Sequence, residues 1–193
     1  MSAASCPALF LSAPASGQGK TIVTCGLARL LTRLGKTVRI FKTGPDYLDP
    51  QILEQASGQP VVQIDLWMAG EEWCQQQFYL AAQVADLIIV EGAMGLFDGE
   101  PSSADLAAHF NIPVALVIDA KGMAQTCGAI AAGLASYRDD IDIVGLIANK
   151  CGTNRHKELI EEALPESIPL LASLENSEDL ALPERHLGLV QAS

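Results

Sequence analysis

The stretch Leu11-Ser12-Ala13-Pro14-Ala15-Ser16-Gly17-Gln18-Gly19-Lys20-Thr21 decides the fold of this chain. An apolar run over 8–11 precedes it and predicts a buried strand, and an apolar-rich segment over 22–34 follows it and predicts a helix. A strand, a glycine-containing loop and a Lys-Thr pair that opens a helix together form the arrangement that binds a polyphosphate. The stretch therefore predicts a phosphate-binding loop.

The loop departs from the pattern G-x-x-x-x-G-K-[ST] at one position, where Pro14 stands in place of the first glycine. Such a match also arises by chance in a chain rich in glycine and alanine, but the strand–loop–helix context favours a functional loop. We expect the loop N–H groups and the helix N-terminus to face the anion. Lys20 would then reach the outer phosphates, and the Thr21 hydroxyl would bind Mg²⁺.

The composition is that of one globular α/β domain over 1–193, with 49% hydrophobic and 18% charged residues. The formal net charge of -11 argues against a nucleic-acid surface, which needs a basic face. No stretch has the features of a signal peptide or a membrane span, and the five cysteines form no C-x-x-C pair. These features predict a cytoplasmic protein with neither a nucleic-acid nor a membrane partner.

Strands and helices alternate along the chain, as in repeated βαβ units. Two prolines, a glycine and two aspartates over 42–50 predict an irregular loop, and Ser103 is the expected N-cap of a later helix. Further strands are expected at 38–41, 61–64, 86–90, 113–118, 143–148 and 168–174, and further helices at 71–84, 103–110, 122–137 and 155–164. The pattern predicts an α/β fold with a doubly wound, mostly parallel sheet, similar to P-loop NTPases.

Charged side chains follow the predicted strands, at the edge where open α/β sheets bind ligands. Glu91 follows the apolar run 87–90, as does a Walker-B acid that holds Mg²⁺, although an acid at a strand end is otherwise simply solvated. Asp46 and Asp49 are candidate ligands of the metal or of its waters, or else turn-forming residues beside proline. Lys42 is either a group that neutralises a transferred phosphoryl charge or a solvated lysine.

Two further positions carry weaker signals. Asn149 follows a late predicted strand in Asn149-Lys150-Cys151-Gly152, which resembles the base-contacting loop of some P-loop proteins. Ser103 lies at a predicted helix N-terminus, which attracts anions, or it is only the helix cap. The sequence shows no Ser/His/Asp or Cys/His arrangement for nucleophilic catalysis.

Five runs of sequence carry a resemblance to a known family. They are the phosphate-binding loop 13–21, KTGPDYLDP at 42–50, VEGAMGLFDG at 90–99, DAKGMAQ at 119–125 and LPERHLGLV at 182–190. In this order, and over the whole chain, they resemble the ATP-dependent amidoligase domain of cobyrinic acid a,c-diamide synthases, which are related to dethiobiotin synthetase and cobyric acid synthase. The second and third runs are specific to that family.

The resemblance implies that ATP phosphorylates a substrate carboxylate and that ammonia then displaces the phosphate as an amide forms. It implies that Lys20 and Lys42 stabilise the γ-phosphoryl charge and that Thr21, Asp46 and Glu91 serve Mg²⁺. The residues expected to bind ATP are Ser16, Gly17, Gln18, Gly19, Lys20, Thr21 and, at the adenine, Asn149. The residues expected at the tetrapyrrole substrate are Tyr47, Leu48, Asp49 and Ser103.

Two departures from the family concern the nitrogen donor and the substrate. Family members carry a C-terminal glutaminase domain, which is absent from 1–193, so ammonia is expected from a domain or subunit outside this sequence or from solution. Family members also carry a histidine in the loop after Asp49-Pro50, where this chain has Gln51-Ile52-Leu53. A synthetase domain without its partner domain would expose apolar surface, which favours a homodimer.

Three alternatives remain open. An amidase of a sirohydrochlorin-type tetrapyrrole would use the same residues on another macrocycle. A dethiobiotin-synthetase-like carboxylase shares the roles of the loop, Lys42 and Glu91, but the runs 44–47 and 183–186 count against it. A partitioning-type switch ATPase has a signature lysine early in its loop, where this chain has Ala15, and its basic surfaces disagree with a net charge of -11.

Overall fold

A computed structural model describes residues 5–176, which form one parallel sheet with helices on both faces. The strands are β1 Ala8–Ser12, β2 Val38–Thr43, β3 Val62–Ile64, β4 Leu87–Glu91, β5 Val114–Asp119, β6 Ile143–Cys151 and β7 Leu170–Glu175. The helices are α1 Lys20–Arg33, α2 Asp49–Ser57, α3 Glu71–Ala82, α4 Ser103–His109, α5 Thr126–Tyr137 and α6 Asn154–Ala163.

The strand order is β3-β2-β4-β1-β5-β6-β7, and every strand pair is parallel. The chain builds one side of the sheet through β2 and β3, returns to place β4 beside β1, and then builds the other side. Ligands of such sheets bind at the carboxyl ends of the strands where the order reverses, here at β1 and its neighbours. The doubly wound α/β prediction is confirmed.

Apolar side chains cover both faces of the central strands. One core contains Phe10, Val90 and Leu116, and the other contains Leu11 and Ile89 from the same strands. Successive residues of a strand point to opposite faces, so a strand with helices on both sides is apolar throughout. This double burial explains the unbroken apolar run that precedes Glu91.

The predicted loop at 42–50 is wrong at both ends. Strand β2 continues to Thr43, and α2 begins at Asp49 with Pro50 in its first turn. Proline at the start of a helix leaves no hydrogen bond unmade, because the first N–H groups have no partner within the helix. The interpretation of Pro50 as a helix breaker missed this position-dependent role.

The predicted N-cap at Ser103 is also wrong by one residue. Ser102 caps α4, because its hydroxyl accepts a hydrogen bond from the Asp105 N–H while the Asp105 carboxylate accepts one from the Ser102 N–H. This reciprocal pair is a capping box. Ser103 therefore begins the helix, and its side chain takes another role, described below.

The predictions about a membrane span and about the run 182–190 depend on which residues the structure describes. Among 5–176, no helix is both long and apolar enough to cross a bilayer. The run 182–190, which contributed to the family resemblance, lies outside the described residues.

Helix α5 packs against α6 so closely that only glycine fits at one position. A Cβ added to Gly128 would lie 2.2 Å from the Ala163 carbonyl oxygen, whereas a Cβ at Gly133 in the same helix meets nothing within 4 Å. We expect Gly128→Ala to lower the free energy of unfolding by about 1–3 kcal/mol through overpacking. Gly133→Ala should raise it by about 0.5–1 kcal/mol through helix propensity.

Denaturant unfolding of both variants checks this pair. Equal effects of the two substitutions would contradict the close approach of α5 to α6.

Candidate active site

The register of three neighbouring strands brings the charged residues of the site together. Lys42 on β2 pairs with Glu91 on β4, and Glu91 pairs with Leu11 on β1, directly before the phosphate-binding loop. All three strands are parallel, so their carboxyl ends meet at one edge. The predicted convergence of Lys42 and Glu91 beside the loop is therefore present.

The phosphate-binding loop ends in a helix whose first turn is open to an anion. Gly19 is the N-cap of α1 and has a φ of 91°, a left-handed conformation that favours glycine. In the described part of the chain, no side chain caps α1, and no acidic residue lies in its first turn. No acidic residue of the first turn of α1 therefore competes with an anion for the positive end of this helix.

Lys20 is buried at the start of α1, and its ammonium group is held by backbone oxygens. Lys20 Nζ donates hydrogen bonds to the carbonyls of Ala15 and Met94. Burial, followed by the nearby positive charge of Lys42, lowers the pKa of Lys20 to about 8. A phosphate in the loop would offer this ammonium stronger, charged acceptors.

Thr21, Lys42, Asp49 and Glu91 form a buried cluster, called here the acid–lysine cluster. Lys42 Nζ lies 3.2 Å from Glu91 Oε1 and 3.6 Å from Asp49 Oδ2. The Thr21 hydroxyl donates to Glu91 Oε1 at 2.9 Å and approaches Asp49 Oδ2 at 3.3 Å. Lys42 also donates to the Gly92 carbonyl at 3.3 Å. The cluster joins α1, α2, β2 and β4 at one point.

The donor atoms of this cluster fit a magnesium ion. Glu91 is fully buried, yet its Oε2 has no hydrogen-bond partner among the described residues. Buried carboxylate oxygens normally have a partner, so this atom fits a cation or its water. Two carboxylates and a hydroxyl are hard oxygen donors, and Mg²⁺ usually takes few protein ligands beside water and phosphate. No group of three or more His, Cys, Asp or Glu residues in 5–176 is arranged for a metal.

Asp46, predicted as a magnesium ligand, lies at the start of α2. Its Oδ1 accepts hydrogen bonds from the N–H groups of Leu48 and Asp49, at 2.9 and 3.1 Å. Burial raises the pKa of Asp46, but hydrogen bonds that it shares with the Leu48 backbone, the Asp49 side chain and the Asp49 backbone outweigh burial, and the net pKa is lowered. The described contacts of Thr21 are with Asp49 and Glu91, so Asp49, predicted both as a candidate metal ligand and as a substrate residue, lies beside Thr21. A role of Asp46 toward Mg²⁺ remains a prediction.

The glycine-rich run after β4 packs directly on the phosphate-binding loop. The Gly92 and Leu96 N–H groups donate to the carbonyls of Leu11 and Ala13, at 2.9 and 2.8 Å. A Cβ at Gly95 would lie 2.7 Å from the Pro14 carbonyl oxygen. These glycines therefore serve the close contact of two backbone segments, and that contact brings the Met94 carbonyl to Lys20.

Gln18 and Asn149 tie the loop to β5 and β6. Gln18 Oε1 accepts from the Asp119 N–H at 2.8 Å, and Asn149 Nδ2 donates to the Gln18 carbonyl at 3.0 Å. A Cβ at Gly19 would lie 2.2 Å from Asn149 Nδ2. Asn149 therefore supports the loop backbone in this structure, a role the sequence did not reveal, and its contact with adenine remains a prediction.

The predicted substrate residues differ in their surroundings. Tyr47 is 81% exposed and Leu48 is half-buried, while Ser103 donates from its hydroxyl to the Ala93 carbonyl at 3.2 Å and so fixes α4 to the run after β4. Ser16 and Gly17 are exposed in the loop. Leu53, predicted to lie in a loop, lies on α2 and is fully buried in the core, so it does not face the site edge.

The sequence matches the family model of the CobQ/CobB/MinD/ParA nucleotide binding domain (CbiA) over residues 9–190. The chain belongs to this family. Membership identifies the ligand class of the phosphate-binding loop as a nucleotide. The family includes MinD and ParA as well as CobQ and CobB, so membership alone does not decide between amide synthesis and an ATPase switch.

Curated relatives within this family are diamide synthases by name. Over 192 residues, the chain is 57% identical to hydrogenobyrinate a,c-diamide synthase of Stutzerimonas stutzeri. The match covers 100% of the chain and 45% of that protein. The chain is 53% identical to the enzyme of the same name from Pseudomonas aeruginosa (100% and 44%) and 51% identical to cobyrinate a,c-diamide synthase of Herminiimonas arsenicoxydans (95% and 41%). The predicted resemblance is confirmed, and the chain spans less than half the length of these relatives.

Solved structures of low identity confirm the fold. The signal recognition particle receptor FtsY of Elizabethkingia anophelis matches with a TM-score of 0.65 at 18% identity, over 94% of this chain and 63% of that one. The hydrogenase maturation factor HypB of Archaeoglobus fulgidus matches with a TM-score of 0.56 at 12% identity, over 88% and 81%. The P-loop NTPase-like fold is thus shared with proteins of different function.

The buried state of Lys20 predicts proton uptake on nucleotide binding. The lowered pKa of about 8 leaves much of Lys20 neutral in the free protein at about pH 9. Bound phosphates favour the ammonium form and raise this pKa, so binding at that pH takes up to about one proton per nucleotide. At about pH 6.5 the lysine is already charged, and its contribution to uptake falls toward zero.

Calorimetry of ATP binding in two buffers of different ionisation enthalpy measures this uptake. Lys36→Met, at an exposed site outside this cluster, should leave the uptake unchanged. A proton count that does not rise between the two pH values would contradict the described environment of Lys20.

Proposed function

We propose that this chain is the ATP-dependent amide-forming domain of a corrin diamide synthase, acting on the side-chain carboxylates of hydrogenobyrinic or cobyrinic acid. The observation that carries this proposal is the position of Lys42. Its buried ammonium lies between Glu91 and Asp49, beside a nucleotide-binding loop, in a chain more than half identical to named diamide synthases. This position suits the stabilisation of charge on a phosphoryl group in transfer.

In the proposed reaction, the loop N–H groups and Lys20 hold the ATP phosphates. Thr21, Asp49 and Glu91 would hold Mg²⁺, directly or through water, and the ion would neutralise phosphate charge when bound. Lys42 and Lys20 supply the fixed positive charge on the side of the γ-phosphoryl group. Phosphoryl transfer depends mainly on positioning and charge neutralisation, and the site offers both without a protein nucleophile.

The chemical steps balance without a further reactant. A substrate carboxylate oxygen attacks the γ-phosphorus of ATP, the bond to the bridging oxygen breaks, and ADP leaves. Ammonia then attacks the acyl carbon, phosphate leaves with the former carboxylate oxygen, and the nitrogen loses a proton as the amide forms. The ammonia comes from a glutaminase domain or subunit outside this sequence, or from solution, and assembly as a homodimer remains part of the proposal.

Loss of the Lys42 charge should slow amidation far more than it weakens nucleotide binding. We expect Lys42→Met to lower the amidation rate by about 10²–10³-fold, as removal of a group that stabilises transition-state charge does elsewhere. ADP affinity should change far less, because Lys42 is assigned to the γ-phosphoryl group. The exposed variant Lys36→Met is the matched control and should keep full activity.

The decisive assay supplies ATP, Mg²⁺, an ammonium salt and hydrogenobyrinic acid labelled with ¹⁸O in its carboxylates. Mass spectrometry should find the amide product and one ¹⁸O in the released phosphate for each amide formed. Unlabelled phosphate would contradict the acyl-phosphate step. Amidation of a sirohydrochlorin alone would identify a sirohydrochlorin-type tetrapyrrole as the substrate. Carboxylation of diaminopelargonic acid would favour the dethiobiotin-type reaction. Stimulation of ATP hydrolysis only by a lipid or protein partner would favour the switch ATPase.

A further inference from the structure

Two exposed apolar side chains lie beyond the end of β3, at the same sheet edge as the proposed active site. The turn at residues 65–69 follows β3 and is called here the Trp67 turn. Trp67 is 81% exposed and Met68 is 63% exposed, whereas Leu66 between them and the strand packs against the core. Exposed apolar side chains that are neighbours can form the kind of contiguous patch that marks a ligand-binding surface.

The Trp67 turn is held in a fixed conformation by its first residue. Asp65 Oδ1 accepts hydrogen bonds from the N–H groups of Trp67 and Met68, at 2.9 and 2.8 Å. The Asp65 carbonyl accepts another from the Ala69 N–H at 3.0 Å. The indole is therefore presented by an ordered turn, and an ordered aromatic contact costs little conformational entropy on binding.

The Trp67 turn is joined to the loop that carries the proposed substrate residue Tyr47. The Gly44 N–H donates to the Ile64 carbonyl at 3.2 Å, and the Gln63 side-chain amide donates to the Asp46 carbonyl. Strand β3 lies two places from β4 in the sheet, so its end is about 10 Å from the end that carries Glu91. The Trp67 turn therefore follows a strand end that lies two strand spacings from the acid–lysine cluster, at the same edge of the sheet.

The charge of the chain limits how a polycarboxylate substrate is held. The net charge is -11, and the two lysines of the site, Lys20 and Lys42, are buried and assigned to phosphate. The residues flanking the turn include the acids Asp65, Glu71 and Glu72. Affinity for the substrate must then come from apolar contact with the flat macrocycle, to which aromatic rings and a polarisable sulfur are suited.

We propose that Trp67 and Met68 bind the face of the tetrapyrrole macrocycle and, together with Tyr47, form the apolar wall of the substrate site. This inference rests on the proposed function for the identity of the ligand. It assigns the macrocycle to the end of β3, and the reacting carboxylate to the ends of β2 and β4.

Equilibrium dialysis of hydrogenobyrinic acid, followed by its absorbance, tests this wall without requiring turnover. Trp67→Ala should raise the Kd by about tenfold or more, as loss of a central aromatic contact does in other interfaces. Trp67→Phe should stay within about threefold of the unaltered chain, because a ring remains. The Kd of ADP should not change in either variant.

Leu34→Ala is the matched control, because Leu34 is 68% exposed and follows the C-terminus of α1, away from this edge. An unchanged Kd in Trp67→Ala, or an equal rise in Leu34→Ala, overturns the wall while leaving the proposed function intact. Binding that depends on Trp67 without any amidation would overturn the proposed function and support the wall. Absence of tetrapyrrole binding to the unaltered chain would overturn both.

Discussion

The buried ion pairs of Lys42 with Glu91 and Asp49 are the constraint on which the rest of this site depends. A buried charge is tolerated only when it is paired, and an unpaired one destabilises a protein by several kcal/mol. One carboxylate balances the charge of the lysine, and the two pairs join β2 to β4 and to the first turn of α2. Removing one partner leaves the others uncompensated, so fold and site are coupled at this point.

The same constraint explains the shape of the surrounding edge. Glycines bring the run after β4 against the phosphate-binding loop, and Gln18 and Asn149 hold the loop from the other side. This close packing keeps Lys20 buried and lowers the pKa of its ammonium group. Contacts from several elements thus fix the site, and a fixed site lowers the ordering cost of binding. Among residues 5–176, Glu91 Oε2 has no hydrogen-bond partner, so this buried oxygen suits a cation or its water.

The sequence predicted those features that depend on local pattern. The apolar run before Glu91 and the Lys-Thr pair after the glycines are signals of strand burial and helix start, and both have the expected structure. The sequence did not show which of Asp46 and Asp49 lies beside Thr21, because that depends on where α2 begins, and proline at 50 is equally compatible with a loop. The capping role of Ser102 was hidden for a similar reason, since two adjacent serines offer the same cap.

Long-range contacts were the other limit. The bond between Asn149 and the Gln18 carbonyl joins residues far apart in sequence, and neither residue type indicates the other. Trp67 lies in no recognisable motif, and only its exposure at the sheet edge distinguishes it. Family membership identifies the ligand of the loop as a nucleotide. The proposed amidation rests on relatives that are named diamide synthases and are more than twice as long as the chain.

In the proposed reaction, the acid–lysine cluster holds the magnesium ion of a bound nucleotide. The most direct measurement is calorimetric titration of ATP with and without Mg²⁺ into the unaltered chain and into Glu91→Gln, with Thr21→Ser as the control that keeps the hydroxyl. The account predicts that Mg²⁺ strengthens binding to the unaltered chain and to Thr21→Ser, and that Glu91→Gln loses most of this gain. An equal gain in Glu91→Gln would contradict it.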